Sequence, residues 1–577
     1  MIKEQLYKLI SEEKYIDALS LIAGYSPNNS DIDSEFCILC ATVCQNLRQY
    51  KEMYLWIQTG LSIEYNNYEL YLLLGIYYET INPNQAYLCY ENALYYCSDE
   101  DDLLVIKEYI NNLSNNNQIT VEKTSIVILS YNSLEMTRQC IESIHNTTPS
   151  SSYELIVIDN CSTDNSVEYL KTLENITLIC NKENIGFPKG CNQGISIASP
   201  NNDIFLLNND TIVMPNSIFW LRMGLYENCD VGSVGSITNC AINGQQIDRT
   251  FSTIDEYKNF AIKTNIPSLN PYENKTWLVG FALLIKRFAL SKVGLLDEKF
   301  SPGCFEDNDI GVRLQLAGFK LYLCHNSFIF HYGNGGGENS TLWNNVKDKN
   351  STYFKQKWGF DLSYYSYPRY DVIELIEDNP DVAINVLDIG CGCGTTLDTI
   401  KYKWPNASVH GIEIVEKIAE LGSKHLDIIC QNIEEHKLPY EKNQFDYIML
   451  CDVLEHLHNP ADTLLYLKNF LKDNGKILCS IPNLMHISVI GPLLRGSFEY
   501  QDSGILDKTH IHFFTLDSII EIANSCGYSI QKIWGKPNDN IISSIDNTIL
   551  KELQNLSHIA PAENFSVYQY ILSLQKA

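Results

Sequence analysis

Three clusters hold the residues best suited to chemistry. In Ile204–Asp210, IFLLNND, four apolar residues are followed at once by three ending in amides or a carboxylate. The apolar run reads as a buried strand of an α/β sheet. The polar group then lies just past its C-terminal end, where open α/β sheets place ligands. Asp210, helped by Asn208, suits a hard divalent cation already bound to phosphate oxygens; taken alone, an Asn/Asp turn closing a strand is the plainer reading. Glu306, Asp307 and Asp309 crowd three carboxylates into FEDND. Crowding raises a carboxylate pKa and suits a base working near neutrality, while an acid-rich helix N-terminus also fits, because Ile310–Leu316 reads as helix. In Val386–Gly394, VLDIGCGCG, an apolar strand leads to Asp388 and then to Gly390, Gly392 and Gly394. Glu413 ends the next strand, 19 residues beyond Gly394 (413 − 394). That spacing fits a Rossmann-like nucleotide site, with glycines admitting a ligand and an acid for ribose hydroxyls.

The frame around these clusters is large and acidic. A chain of 577 residues predicts three or four domains. Its net charge of −28 argues against nucleic acid or anionic membrane as the main partner, so a substrate diphosphate needs local help such as a metal ion. No apolar run approaches a membrane span, and MIKEQLYKLI is not a signal peptide. The 19 cysteines are irregularly spaced, and Cys37 and Cys40 form a lone pair in helical surroundings. Buried thiols in a reducing cytoplasm are expected rather than disulfides or zinc.

Residues 1–120 read as helical. Cys37, Cys40, Ala41 and Cys44 match Tyr71, Leu74, Gly75 and Tyr78 at a spacing of 34 residues (75 − 41), and Ala86, Tyr90 and Ala93 continue the second unit. The pattern resembles the tetratricopeptide (TPR) repeat, which implies a peptide groove or assembly surface and a possible protein partner; a helical cap packed on the next domain is the alternative. Beyond the polar linker Ser114–Gln118 the pattern changes to strand–turn–helix. Ile126–Leu129 ends in Ser130, Tyr131 and Asn132, and Leu155–Ile158 ends in Asp159 and a polar loop. Asn184–Gly190, NIGFPKG, follows. Two strands with polar ends, each leading into a helix, describe a nucleotide-binding half of a doubly wound sheet.

From 124 to about 360 the chain resembles family-2 glycosyltransferases of the GT-A fold, in their rhamnosyltransferase-like branch. IVILSYN, ELIVIDNCSTD, NIGFPKGCNQGI, IFLLNND, WLVGFALLIKR, FEDNDIGVRL and FIFHYG carry the resemblance, in that order. It implies inverting transfer from a nucleotide-sugar. Tyr131 and Asn132 would line the base pocket, and Asp159 would accept from base or ribose. Asn184, Lys189 and Asn209 would complete the donor site. Asp210 would hold Mn²⁺ or Mg²⁺, with His331 as a second ligand, which suits a site where Asn208 and Asn209 stand in place of aspartates. Glu306 or Asp307 would take the acceptor proton.

After a Tyr-rich connector a second α/β pattern starts. VLDIGCGCG, HGIEI, QNIEE, FDYIMLCDVLEHLHNP and KILCSIP resemble class I S-adenosylmethionine (SAM) methyltransferases over about 383–535. The resemblance implies that Asp388, Gly390, Gly392 and Gly394 shape the site for the methionine end. Glu413 would bind the ribose, and Asn432 and Ile433 the adenine. A base near the acceptor hydroxyl is sought among His456, His458, His510 and His512; His456 reads as a packing residue of the LEH turn. His510 and His512 alternate, so on an extended segment they point the same way and are preferred.

The expected architecture is multidomain: a TPR-like helical domain (1–120), a GT-A domain (121–362), a linker (363–382), a Rossmann-like methyltransferase domain (383–540) and a C-terminal helical extension (541–577). The expected protein is a cytoplasmic, bifunctional enzyme that transfers a sugar such as rhamnose and O-methylates a surface glycan or a flagellin-like glycoprotein. The competing expectations are a glycosyltransferase whose methyltransferase domain only binds substrate, and a TPR-based scaffold with vestigial catalysis. The intact acids at 210, 306 and 307 weigh against the last.

Overall fold

The computed structural model describes residues 2–25, 32–333, 341–538, 544–555 and 562–576. The chain divides into two compact units, Met1–Asp361 and Leu362–Ala577.

Seven helices open the first unit, from Ile2–Ser11 to Glu100–Asn116. Asx side chains start several of them: Asp33 accepts from the Phe36 N–H, Asn67 from Leu70, Asn82 from Asn84 and Gln85, and Asp99 from Asp101 and Asp102. Such caps satisfy orphan donors of the first turn. The helices Ser34–Asn46 and Tyr68–Tyr78 begin 34 residues apart, each followed by a packed partner helix. The small residue of the repeat has a local cause. A Cβ on Gly75 would meet the Tyr90 ring at 2.1 Å, so only glycine lets the helix Pro83–Tyr96 approach. These helices pack on Ser217–Leu225, a helix buried along its whole length. Gln85 Nε2 donates to the Met223 carbonyl at 3.0 Å, and Asn216 Nδ2 to the Tyr71 hydroxyl at 2.9 Å. Buried Arg222 pairs with Glu91. The helices thus share one apolar core with the sheet beside them.

That sheet contains β1 (Thr124–Ser130), β2 (Tyr153–Asp159), β3 (Thr177–Cys180), β4 (Asp203–Asn208), β5 (Thr211–Val213), β6 (Val231–Ile237), β7 (Tyr272–Asn274), β8 (Ala282–Ile285) and β9 (Lys320–His331). Its order is β3-β2-β1-β4-β8-β6-β9-β5, with β7 also on β9. β1 pairs in parallel with both β2 and β4. The chain order therefore reverses at β1, and a crevice opens beyond the strand ends there.

The second unit carries β10 (Asn385–Ile389), β11 (Ser408–Glu413), β12 (Asp427–Cys430), β13 (Phe445–Cys451), β14 (Leu471–Pro482), β15 (Tyr528–Pro537) and β16 (Val567–Lys576). The order is β12-β11-β10-β13-β14-β16-β15, with β16 antiparallel to both neighbours. Two expectations change here. The C-terminal stretch is helical only over Ser544–Gln554, while Val567–Lys576 is an interior strand of the sheet; residues 539–543 and 556–561 lie outside the described residues. Burial runs without alternation from Gln569 to Leu574, polar Gln569 and Ser573 included, so no period of two marks the stretch as strand. The stretch 363–382 is not a linker either. It contributes the short helices Leu362–Tyr365 and Tyr370–Ile373 and part of a cavity wall. Among the described residues no helix is long and apolar enough to cross a membrane.

Candidate functional site

The first unit gathers its polar residues beyond the C-terminal ends of β1, β2, β4 and β9. Asp159 ends β2 and is fully buried. Its Oδ1 accepts from the Ser162 N–H at 2.9 Å, and its Oδ2 has no hydrogen-bond partner among the described residues. A buried acceptor left unsatisfied is costly and suits a ligand donor. Tyr131 and Asn132 are exposed beside it. The Asn132 side-chain oxygen accepts from the Thr163 N–H at 2.7 Å, tying the loop after β1 to the loop after β2. Asn184 shapes the glycine loop: its Oδ1 accepts from Asn160 Nδ2 and from the Gly186 N–H, at 2.7 and 3.0 Å. Lys189 is exposed on the helix Phe187–Ile197. Asn209 is turned toward Thr137, to whose hydroxyl its Nδ2 donates at 3.0 Å.

Asp210 is buried, and the pairing Thr211↔His331 brings β9 beside it. His331 Nε2 lies 3.3 Å from Asp210 Oδ1, while Nδ1 faces the Cys240 carbonyl at 2.9 Å. A carbonyl only accepts, so Nδ1 carries a proton. In its neutral form the ring turns the Nε2 lone pair toward the carboxylate, an arrangement that a cation between the two would satisfy. The donor set thus fits a divalent ion. Phe281 stacks on His331 at 5.0 Å between centroids, and its carbonyl accepts from the Asn208 N–H at 2.8 Å. The neighbouring Gly280 N–H donates to Asp307 Oδ2 at 3.0 Å. One short segment therefore connects the end of β4 to the acid cluster.

That cluster opens the helix Glu306–Leu316 after two non-glycine residues in left-handed backbone, Cys304 (φ 75°) and Phe305 (φ 73°). Such backbone costs energy and collects at functional sites. Glu306 is buried, and its Oε2 has no partner among the described residues. Burial, then the neighbouring Asp307, push its pKa well above the carboxylate range. Asp307 is half-buried, and burial raises its pKa too, against the Gly280 and Asn308 N–H groups. Asp309 serves the fold, pairing with Arg313 at 2.9 Å and Lys357 at 2.6 Å.

In the second unit a cavity of about 720 Å³ lies beyond the ends of β10, β11 and β13. Asp388, Gly390, Gly392, Glu413, Asn432 and Ile433 all line it. Asp388 Oδ1 is buried without a partner among the described residues. Burial raises its pKa to about 8, with Arg369 opposing the shift and Glu413 adding to it. Glu413 accepts from the Gly392 and Val415 N–H groups at 2.9 Å each. Asn432 caps the turn Ile433–Glu435 through the Glu434 N–H. The glycine at 392 (φ 56°) answers to the chain itself, because a Cβ there would meet the Tyr365 carbonyl oxygen at 2.5 Å. A recess of this size, with an orphaned carboxylate oxygen at one end and carboxylate–backbone contacts along its wall, fits a nucleoside carrying a cationic amino acid.

The histidines arrange differently from the expectation. His510 and His512 do not line the cavity; His456, His458 and Thr509 do. The segment is not extended, because the Ile511 and His512 N–H groups both donate to the Glu455 carbonyl, at 3.0 Å. Successive N–H groups of a strand point to opposite sides. His510 turns onto His456, with ring centroids 4.8 Å apart, and His512 Nε2 faces the His458 carbonyl at 3.2 Å. The sequence reading also passed over wall residues Tyr364, Tyr365, Tyr367, Arg369 and Asp452. Arg369 Nη1 donates to Asp452 at 2.7 Å and to Ser480 at 2.9 Å. YSYPRY carries no motif, and only its closeness to the β10 glycines could have signalled it.

Comparison with known proteins agrees with both folds. Residues 125–294 match the family described as glycosyl transferase family 2, and residues 363–533 match a methyltransferase domain family. The chain thus joins two α/β domains, one matching glycosyl transferase family 2 and one matching a methyltransferase family, preceded by a helical region. Curated relatives include N-methyltransferase 4 of Papaver somniferum, 30% identical over 101 residues, 16% of this chain and 28% of the relative. Another is the poly(ribitol-phosphate) beta-glucosyltransferase of Bacillus spizizenii, 31% identical over 134 residues, 22% of this chain and 21% of the relative. Among solved structures, a SAM-dependent methyltransferase from Archaeoglobus fulgidus is 18% identical with a TM-score of 0.28, covering 39% of this chain and 99% of that one. The chain spans about a fifth to about half the length of the curated relatives it matches.

Proposed function

We propose that the protein is a bifunctional enzyme of surface-glycan synthesis. It transfers a hexose or deoxyhexose such as rhamnose from a nucleotide-sugar with inversion, and it O-methylates a sugar hydroxyl of the glycan or of a flagellin-like glycoprotein. The pairing of Glu306 with Asp307 beside the end of β4 carries the first part. Of two crowded carboxylates, the more buried keeps the proton; that is Glu306. Asp307, half-exposed and held by the Gly280 N–H, is then the ionised member and takes the acceptor hydroxyl proton. Asp159 with its unpartnered Oδ2 receives base or ribose, and Tyr131, Asn132 and Lys189 border that position. Asp210 and His331 would hold Mn²⁺ or Mg²⁺, whose chemistry is to neutralise the leaving diphosphate. The name of the poly(ribitol-phosphate) glucosyltransferase it resembles in part supports a glycan acceptor.

For methylation, Glu413 would bind the ribose hydroxyls, Asn432 and Ile433 the adenine, and Asp388 the cationic amine of SAM, which supplies the methyl group. The whole process needs no membrane span, in keeping with a cytoplasmic location. The test is incubation with a panel of nucleotide-sugars and Mn²⁺, with and without SAM, scored by mass spectrometry. One nucleotide-sugar should be consumed, and SAM should make the product heavier by one CH₂. Consumption of none would sink the first half of the reading, and a product unchanged by SAM the second.

A further inference from the structure

The methyltransferase unit contains a cluster that SAM binding does not use. Glu455 is 1% exposed, and neither carboxylate oxygen has a hydrogen-bond partner among the described residues. A buried carboxylate in that condition is costly as an anion. A cation answers it. Two imidazoles lie near Glu455, in a neighbourhood that also includes Asp452, Arg369 and Asp507. Glu455, His456 and His510 each offer a donor atom within 4.8 Å of the other two, the one such group of three among the described residues.

The imidazoles are set up as ligands. His456 Nδ1 faces the Thr509 carbonyl at 3.2 Å, and His510 Nδ1 faces the Ile505 carbonyl at 2.9 Å. A carbonyl cannot donate, so each Nδ1 bears the hydrogen and each Nε2 holds a lone pair. Histidine ligands of metals are oriented in this way, by donating their other ring N–H to a carbonyl or carboxylate. Two stretches distant in sequence meet at the cluster: the turn Leu454–His456, and the segment around Thr509 that bends onto the Glu455 carbonyl.

We infer that Glu455, His456 and His510 form a binding site for a divalent transition ion of borderline softness, Zn²⁺ being the type. Two imidazole nitrogens and one carboxylate are the ligand set of open zinc and related sites. With bonds of about 2.1 Å, tetrahedral ligands stand about 3.4 Å apart, so side-chain rotation closes the present separation. Three protein ligands leave a fourth position for an oxygen. Since His456 lines the cavity, that oxygen is the acceptor hydroxyl, whose acidity the ion would raise. This role rests on the methyl-transfer reading; ion binding does not.

The test uses the full chain, stripped with chelator, carrying Asp210→Ala so that the first unit's site cannot respond. Zn²⁺ alone is titrated by competition calorimetry, and Co²⁺ alone by visible absorption. One equivalent of Zn²⁺ should bind, and Co²⁺ should give the d–d bands of a low-coordinate nitrogen–oxygen site. Adding His510→Ala or Glu455→Gln should weaken Zn²⁺ binding at least 100-fold, beyond the loss typical of outer-shell changes. SAM binding and the melting transition of each variant report whether it folds. Should His510→Ala fail to fold, the Co²⁺ bands of the Asp210→Ala chain decide the matter alone. A chain that binds SAM but neither ion overturns the site while sparing the methyltransferase reading. Unchanged Zn²⁺ affinity in a folded His510→Ala variant also overturns it.

Discussion

Nε2 of His331 stands 3.3 Å from Oδ1 of Asp210, and the opposite ring nitrogen is committed to the Cys240 carbonyl. Asp210 stands in the turn between β4 and β5, and its carbonyl accepts from the Tyr332 N–H at 2.9 Å, just past the end of β9. Asp210→Ala should abolish sugar transfer without unfolding the protein. His331→Ala should raise the Mn²⁺ concentration needed for half-maximal rate by about 10–100-fold. Rates are measured against Mn²⁺ concentration, and a His331 variant with an unshifted curve would remove this histidine from the metal site.

The acids at 306 and 307 are no longer interchangeable. Asp307→Asn should lower kcat by about 10²–10⁴, the usual worth of a general base, with donor binding retained. Glu306→Gln should cost much less. The pH profile carries the sign. A base works ionised, and burial raises the Asp307 pKa, so the acid limb of kcat should lie above the ordinary aspartate value of about 3.9. It should survive in Glu306→Gln and vanish in Asp307→Asn. The reverse pattern would make Glu306 the base.

Much of this was legible in the sequence, and the reasons for the rest are local. Apolar runs with polar ends placed Asp159, Asp210, Asp388 and Glu413 at or just past the C-terminal ends of strands, because strand length and the site at a switch point are consequences of sheet topology. Long-range pairing is not written locally. Nothing in CDVLEHLHNP and DKTHIHFFT says that Thr509 and Ile505 carbonyls will orient His456 and His510. The alternation at 510 and 512 misled because one carbonyl, that of Glu455, bends the segment. Val567–Lys576 was unreadable as strand for the opposite reason: burial on both faces erases the period.

Asp388 should couple SAM binding to a proton. Its folded pKa is raised to about 8 by burial, so below that value the carboxyl binds a proton that a cationic amine must displace. SAM affinity should therefore tighten as pH rises toward about 8, approaching tenfold per unit on the acid side, and level off above. Calorimetry in buffers of different ionisation enthalpy should detect proton release. Asp388→Asn should bind weakly and without that pH dependence; a wild-type affinity flat from pH 6 to 8 would count against the contact.

Glu413 and Gly392 share a bond, and their variants should fail differently. Glu413→Gln keeps an acceptor for one backbone N–H and loses the charge, so it should weaken SAM binding more than it lowers the melting temperature, because hydrogen bonds to a charged group are the stronger ones. Gly392→Val adds atoms where the Tyr365 carbonyl stands 2.5 Å from the Cβ position, at a φ that valine resists. It should destabilise the second unit even without SAM. Melting curves with and without SAM separate the two, and a Gly392→Val chain of normal stability that merely fails to bind SAM would move the clash to the ligand.

The N-terminal helices answer to the same kind of argument. Removing residues 1–115 would take Tyr71 from Phe219 and Cys89 from Met223 and strip buried Arg222 of Glu91. A guanidinium buried without its partner costs about 3–5 kcal/mol. Truncation should thus yield an aggregating or unstable glycosyltransferase unit rather than a trimmed active one. The single change Glu91→Ala should lower the first unit's stability by a comparable amount, measured by denaturant unfolding. Arg222→Met in the same chain should recover most of the loss, because the charge is gone and the volume is kept. If the truncated chain is soluble, melts normally and transfers sugar at the wild-type rate to a small acceptor, the helices are separable from the core. In that case their 34-residue repeat speaks for a partner-binding surface instead.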